Sequence, residues 1–255
     1  MTAGKIIAVA NQKGGVGKTT TAINLCASLA VAEKATLLVD MDPQGNATSG
    51  MGVDKNSLET TVYEALFEPA LVEEAIMETT MPFLHLLPAN PELTGAEVEL
   101  VAQVGREFKL KQALNLVRDR YEYIIVDCPP SLGLLTINVL TASDSMLIPV
   151  QCEYYALEGL SQLLGTVQLV QSSLNPQLQI EGVLLTMFDK RLNLASQVVD
   201  ETVDYFGDKV YKTIIPRNVR LSESPSFGKP ILLYDIQSKG AESYLQLARE
   251  VIASA

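Results

Sequence analysis

The 255 residues fall into short apolar runs that alternate with helix-like segments along almost the whole chain. The apolar runs lie at 5–10, 35–40, 83–87, 121–127, 145–150, 180–186 and 209–215. Several are unbroken apolar stretches, which is typical of strands that are buried on both faces of a parallel sheet. Helical patterns fill the intervals at 18–32, 60–78 (broken at Pro69), 94–119, 132–142, 155–173, 193–206 and 239–253. The alternation predicts an α/β fold, a doubly wound and mostly parallel sheet with helices on both faces.

Composition restricts the kinds of protein and of functional site that are compatible with this sequence. Hydrophobic residues make up 47% of the chain, which is enough for a buried core, and no linker interrupts the pattern, so we expect a single domain over residues 1–255. The single histidine, His85, argues against histidine zinc sites and Ser-His nucleophiles. Three separated cysteines without a C-x-x-C motif indicate reduced thiols in a cytoplasmic protein. No apolar run reaches the roughly 18 residues of a membrane span, and the N-terminus does not resemble a signal peptide.

Charge is distributed unevenly along the chain. The net charge of −11 by itself argues against binding to nucleic acid. However, residues 51–108 hold eleven carboxylates and two bases, a local charge of −9. Residues 209–230 hold five bases and one carboxylate, a local charge of +4. The acidity therefore restricts nucleic acid to one face of the molecule and does not exclude it.

A glycine-rich stretch follows the first predicted strand and precedes a helix. It reads Gly-Gly-Val-Gly-Lys-Thr and ends like the phosphate-binding pattern G-x-x-x-x-G-K-[ST], although Gln12 stands at the first glycine position. Backbone N–H groups of such a loop converge on phosphate oxygens at the positive end of the helix. Lys18 can reach the terminal phosphates, and the Thr19 hydroxyl can bind Mg²⁺. The predicted ATP-binding residues of the loop are Lys13, Gly14, Gly15, Val16, Gly17, Lys18, Thr19 and Thr20.

Carboxylates stand at the ends of two other predicted strands. Asp40 ends the run at 35–40 and Asp42 follows it two residues later, while Asp127 ends the run at 121–127. Ligands of open α/β sheets bind beyond the carboxyl ends of the strands, so these side chains are expected beside the phosphates. A carboxylate that faces the terminal phosphate can orient water, and Asp127 has the arrangement that places an aspartate near Mg²⁺, usually through water.

Three strings of residues resemble one family. Lys13-Gly-Gly-Val-Gly-Lys18-Thr resembles the deviant Walker A loop of the ParA/MinD class of P-loop ATPases, while 40–46 and 127–133 resemble its switch I and switch II segments. The resemblance implies that Lys13 crosses a sandwich dimer to the other subunit's nucleotide. It implies that Asp42 positions the attacking water and that Asp40 supports the Mg²⁺ shell or Lys13. Lys13, Lys18 and Asp42 are thus the expected catalytic residues.

The resemblance extends to the second half of the chain. Residues 209–231 are most similar to the chromosomal, Soj-like branch of the ParA proteins. Segments after the last two predicted strands are expected to border the adenine, with Met187, Pro216 and Asn218 as the candidate residues. Basic side chains near them match positions that carry non-specific DNA binding in that branch, namely Lys190, Arg191, Arg217 and Arg220.

The resemblance implies a partition ATPase with ATP and Mg²⁺ as cofactors and slow intrinsic turnover. We expect a homodimer when ATP is bound, non-specific binding to double-stranded DNA, a ParB/Spo0J-type partner that stimulates hydrolysis, and a cytoplasmic, nucleoid-associated location. One alternative is a membrane-cycling regulator like MinD, but the C-terminal segment 244–255 has one Arg and one Glu and lacks the basic amphipathic pattern. Another alternative is a metabolic ligase of the same fold.

Overall fold

The computed structural model describes residues 4–153 and 158–254, which contain a seven-stranded sheet. Its strands are β1 (Lys5–Val9), β2 (Thr36–Asp40), β3 (Met77–Glu78), β4 (Leu84–Leu87), β5 (Tyr123–Asp127), β6 (Ser145–Gln151) and β7 (Gln179–Thr186). The order across the sheet is β3-β4-β2-β5-β1-β6-β7, and every pair is parallel except β3 with β4. The predicted fold class is confirmed, and the single-domain organisation stays a prediction.

Helices connect the strands and cover both faces of the sheet. They are α1 (Lys18–Val31), α2 (Asn46–Gly50), α3 (Val62–Phe67), α4 (Val72–Ala75), α5 (Leu93–Glu99), α6 (Lys109–Val117), α7 (Leu134–Ala142), α8 (Glu158–Ser173), α9 (Asn193–Phe206), α10 (Val219–Glu223), α11 (Ile231–Tyr234) and α12 (Lys239–Ala253). Residues 155–157 of the predicted helix 155–173 lie outside the described residues.

The core lies on both sides of the sheet because neighbouring strand residues point in opposite directions. Ile7 and Val9 of β1 belong to a buried cluster with side chains of α1 and α12, whereas Ile6 and Ala8 belong to a second cluster with α6, α7 and α8. A strand that is buried on both faces needs apolar residues at every position, which explains the unbroken apolar runs.

The run at 209–215 was predicted as a strand, and this prediction is wrong. The segment lies beside β7, where it forms the isolated bridge of Val183 with Val210 and donates backbone hydrogen bonds from Tyr211 and Ile215, but it forms no continuous ladder. The backbone N–H groups of Lys212 and Thr213 donate to the Glu250 carboxylate of α12 at 2.9 and 2.8 Å. A side chain therefore satisfies backbone donors that a strand ladder would otherwise use.

One long predicted helix, 94–119, is broken in the structure, and the helical segment 60–78 breaks at Pro69 as predicted. The segment 94–119 divides into α5, 3₁₀ turns at Leu100–Ala102 and Arg106–Phe108, and α6, with Gly105 in the left-handed region at φ 64°. The segment 60–78 divides into α3, a 3₁₀ turn at Pro69–Leu71, α4 and the edge strand β3. Pro69 removes a helical N–H donor, which accounts for the break between α3 and α4.

Candidate active site

The glycine-rich loop lies at the carboxyl end of β1, in the centre of the sheet, between the carboxyl ends of the neighbouring strands. Gly15 and Gly17 adopt φ values of 75° and 91°, a left-handed conformation that favours glycine, and Gly17 is the N-cap of α1. A Cβ at Gly14 or Gly15 would meet no atom within 4 Å, so the loop faces open space. The Thr186 hydroxyl of β7 donates to the Val16 carbonyl at 2.8 Å and fixes the loop.

Lys18 begins α1 and is buried, with 7% of the residue exposed. Its Nζ donates to the Lys13 carbonyl at 3.1 Å, so the ammonium is held under the loop. Burial lowers the pKa of Lys18, and the nearby carboxyl groups of Asp127 and Asp42 oppose that shift. A bound anion would add further negative charge and would favour the protonated ammonium that a phosphate needs.

Asp127, at the end of β5, is completely buried, and within the described residues neither of its carboxylate oxygens has a hydrogen-bond partner. Burial raises the pKa of Asp127 well above its usual range, Asp40 adds to that shift, and the neighbouring Thr19 hydroxyl opposes it, although its geometry falls short of a full hydrogen bond. A buried carboxylate without partners is unfavourable unless a cation or a water donor satisfies it.

The residues of this corner fit Mg²⁺. No group of three or more His, Cys, Asp or Glu side chains that could hold a metal ion occurs in the described part of the chain. Mg²⁺ does not need one, since it keeps several waters and binds through one or two carboxylates together with substrate phosphates. Asp127 supplies the unsatisfied carboxylate, and Thr19, at the start of α1, supplies a hydroxyl beside the loop.

Asp40 and Asp42 have separate tasks in the structure. Asp40, at the end of β2, is completely buried, and it accepts bonds from the Thr48 backbone and hydroxyl at 2.8 Å each and from the Asp42 backbone at 3.1 Å. Burial raises the pKa of Asp40 to about 6. Its oxygens therefore hold the switch I loop, which favours a positioning role for Asp40 over metal binding. Within the described residues, Asp40 forms no hydrogen bond or ion pair with Lys13. Asp42 instead lines the cavity beside the loop and accepts from the Gln44 backbone at 2.9 Å.

Two adjoining cavities continue from the loop. One, of about 380 Å³, is lined by the glycine-rich loop, Asp42 and Pro130. The other, of about 240 Å³, is more apolar and is lined by residues that include Pro216, Asn218 and Tyr244. Gly17, Thr20 and Met187 line both. The pair has the form of a compartment for phosphates beside the glycine-rich loop, joined to a second compartment of a size that suits a flat ring.

The apolar cavity contains Met187, Pro216 and Asn218, the three residues predicted to border the adenine. Met187 adopts φ 53°, a strained conformation for a non-glycine residue that is often found at ligand sites. The Asn218 side chain caps α10 by accepting from the Arg220 backbone at 2.8 Å. The Tyr244 hydroxyl shares a hydrogen bond of 3.2 Å with Thr21, which fixes α12 against α1 at the cavity wall.

The basic residues Lys190 and Arg191 lie in the exposed loop after β7. Arg191 forms a two-point ion pair with Asp189, with Nε–Oδ1 at 2.9 Å and Nη2–Oδ2 at 2.6 Å. The hydrogen bonds from Arg191 lower the pKa of Asp189 strongly. Lys190 is exposed and carries no ion pair within the described residues.

The other two candidates, Arg217 and Arg220, are also exposed and also paired. Arg217 lies 3.4 Å from the Glu153 carboxylate, and Arg220 lies 2.9 Å from Glu223 and 3.4 Å from Asp235. Exposed ion pairs of this kind are weak, so a phosphate could replace the carboxylates. The structure leaves these arginines accessible, and their binding to DNA stays a prediction.

Known proteins resemble this chain over most of its length. A model of the "AAA domain" family matches residues 4–180. The chain is 64% identical to the sporulation initiation inhibitor protein Soj of Bacillus subtilis, over 98% of this chain and 99% of Soj. It is 62% identical to the chromosome partitioning protein ParA of Myxococcus xanthus, over 98% of this chain and 89% of that protein. The chain belongs to the ParA/Soj family of chromosome-partitioning ATPases.

A solved relative of this ParA/Soj family member is cobyrinic acid a,c-diamide synthase of Mycobacterium smegmatis with bound ADP and magnesium. The two are 38% identical with a TM-score of 0.86, over 98% of this chain and 94% of the synthase. The resemblance to a metabolic enzyme shows how far the fold is shared across functions. The much higher identity to ParA and Soj assigns the family.

Sequence reasoning missed several residues that shape the ParA/Soj site. Asn11 donates to the Pro149 carbonyl at 2.8 Å and accepts from the Lys13 backbone at 2.9 Å, which anchors the loop to β6. Thr48 links Asp40 to the Ala89 backbone, and no local pattern marks it. These contacts join residues that are distant in sequence.

Proposed function

We propose that this protein is a partition ATPase that binds Mg²⁺ and ATP, dimerises around the nucleotide, and binds double-stranded DNA non-specifically as the dimer. The observation that supports this most directly is the Lys18–Asp127 corner. A buried ammonium beneath a left-handed glycine loop faces a buried carboxylate that lacks partners. Phosphate and a hydrated cation satisfy both groups, and the adjoining apolar cavity suits a base.

Each residue has a definite task in hydrolysis. The Lys18 ammonium and the loop N–H groups hold the phosphate oxygens and stabilise the charge that develops on them. Asp127 and Thr19 would hold Mg²⁺, which when bound neutralises charge on the phosphates. Asp42 lines the phosphate cavity, where its carboxylate orients the attacking water. Lys13 extends from the rim to the nucleotide of the other subunit.

Dimerisation doubles the number of cations that so acidic a chain offers to DNA. One subunit presents few cations, whereas two subunits present Lys190, Arg191, Arg217 and Arg220 twice. Non-specific DNA binding requires several cations aimed at phosphates and no contacts to bases. We further propose that a ParB-type partner stimulates hydrolysis, that residues 1–255 form one domain, and that the protein works in the cytoplasm on the nucleoid.

A membrane-cycling function is less well supported. Within the described residues, no helix combines the length and hydropathy of a membrane span. The apolar side of α12 is already buried, because Tyr244, Leu247 and Val251 pack in the core with α1. An interfacial anchor would need that side to be free.

Sedimentation of the protein with ATP and Mg²⁺, with and without random-sequence DNA, tests the proposal. We expect a monomer without nucleotide, a dimer with ATP, and DNA-bound dimers at low salt. Lys18→Ala should remain monomeric in all conditions because its phosphate partner is lost. A protein that hydrolyses ATP but neither dimerises nor binds DNA would refute the partition mechanism.

A further inference from the structure

A carboxylate of α5 lies against the N-terminus of α7. Glu97 is half-buried in α5, and its Oε1 atom is buried and accepts no hydrogen bond from any residue that the structure describes. A Cβ added to Gly133, the residue that precedes α7, would collide with this oxygen. A buried carboxylate oxygen is unfavourable unless a donor satisfies it. The donor for Glu97 is therefore expected close to Gly133.

The first turn of α7 supplies such donors. Gly133 is the N-cap of α7 and has no side chain that could accept from the helix. The first N–H groups of a helix have no partner inside it, and a capping oxygen accepts from the residues two or three positions after the N-cap, here Leu135 and Thr136. Glu97 Oε1 lies in the space that a capping side chain at Gly133 would occupy. The positive end of the helix dipole also favours a carboxylate there, and the first turn of α7 contains no acidic residue of its own.

The first turn of α7 is joined to switch II, the loop at 127–133 that carries Asp127. The Thr136 hydroxyl donates to the Ser131 carbonyl at 2.6 Å, and Pro130 of the same loop lines the phosphate cavity. The other end of switch II follows β5, which is fixed by ladders to β1 and β2. The start of α7 is therefore the second anchor of the loop, and its position determines where the loop lies beside the phosphates.

We propose that Glu97 is a positioning residue for ATP hydrolysis, which caps α7 from α5 and thereby holds the far end of switch II in place. The inference rests on the proposed function, because it assigns one more residue to the same phosphate site. Glu97 does not line the phosphate cavity, so it acts only through the loop. Its loss should therefore slow the chemical step and leave ATP binding by Lys18 and the glycine-rich loop largely unchanged.

Three variants and one control test the cap in the full-length protein. Glu97→Ala removes the acceptor, whereas Glu97→Gln keeps an amide oxygen that can accept the same hydrogen bond. Gly133→Ala adds the Cβ that collides with the carboxylate and displaces it. The matched control is Glu99→Ala, which removes an equal charge from the same helix, where the carboxylate accepts from the Tyr63 hydroxyl. Residue-resolved amide hydrogen exchange of the nucleotide-free protein measures the cap, and steady-state kinetics measure kcat and KM for ATP.

We expect the amides of Leu135 and Thr136 to exchange about fivefold faster in Glu97→Ala and in Gly133→Ala than in wild type. Glu97→Gln and Glu99→Ala should exchange like wild type. The value of kcat should fall about fivefold in the same two variants, while KM changes by less than about twofold. The double variant Glu97→Ala/Gly133→Ala should be no slower than the slower single variant, because both changes remove one contact.

Wild-type exchange and wild-type kcat in Glu97→Ala would overturn the proposal. A higher KM with an unchanged kcat would overturn it as well, because Glu97 would then act on nucleotide binding. The same holds for a glutamine variant as impaired as the alanine variant, and for losses that add in the double variant, since Glu97 and Gly133 would then act independently. A wild-type protein without ATPase activity refutes the proposed function instead, and the exchange rates still decide whether Glu97 caps α7.

Discussion

Thr48 connects switch I to the neighbouring strand, and its replacement by valine gives a quantitative test of the site. The hydroxyl is completely buried, donates to Asp40 at 2.8 Å and accepts from the Ala89 backbone at 2.9 Å. Valine keeps the shape and removes both bonds. The lost hydrogen bond to a carboxylate is worth about 1.5–3 kcal/mol, and the stranded N–H costs about 1–3 kcal/mol.

Because the two effects share one oxygen atom and overlap, we expect Thr48→Val to lower the free energy of unfolding by about 3 kcal/mol. Urea unfolding of the nucleotide-free protein measures it. Hydrolysis at saturating ATP should also fall about tenfold, because the Asp42 backbone donates to the same Asp40 carboxylate and Asp42 loses its alignment.

Thr48→Ser is the matched control. It keeps the hydroxyl and loses one methyl group, so it should cost about 1 kcal/mol and retain most of the turnover. Two results would refute the reasoning. One is a Thr48→Val protein as stable as wild type, and the other is a serine variant as impaired as the valine variant.

Three further predictions concern other parts of the molecule. Asp42→Ala should keep ATP-dependent dimerisation and lose hydrolysis, which leaves trapped dimers in sedimentation; normal turnover would remove Asp42 from the mechanism. Arg220→Ala should reduce the salt dependence of DNA binding by about 2 per dimer, one phosphate contact in each subunit, whereas Arg249→Ala, an exposed arginine of α12, should not; gel shifts over a salt series decide this. Burial raises the pKa of Cys152 to about 11, so its alkylation by iodoacetamide should be very slow at pH 7.5 and should rise about tenfold per pH unit towards pH 11; rapid native labelling at neutral pH would contradict the assigned burial.

Most strands of the observed sheet could be predicted from local sequence patterns. Unbroken apolar runs identified six of its strands because burial on both faces demands apolar residues at each position. The seventh run, 209–215, has the same local character and lies beside β7, but Glu250 of α12 takes two of its backbone donors and the ladder does not form. Whether an apolar run joins a ladder depends on which groups lie next to it, and that is decided by packing.

The site likewise combines features that local sequence predicts with contacts that only folding creates. Local sequence patterns predicted the glycine loop, Lys18 and the carboxylates at strand ends, because each of these features consists of residues that are adjacent in the sequence. The link from Asp40 through Thr48 to Ala89, and the contact of Tyr244 with Thr21, join residues that are far apart along the chain. No period or spacing encodes such contacts.

The sequence by itself thus determined the α/β layering, the phosphate loop and the family of this chain, because each is recognised from residues that are close together in the sequence. Only the tertiary structure decided that Asp40 holds switch I and that the buried Asp127 carboxylate finds no hydrogen-bond partner among the described residues. The physical reason is that burial and hydrogen-bond partners are properties of segments brought together by folding, which neither segment carries alone.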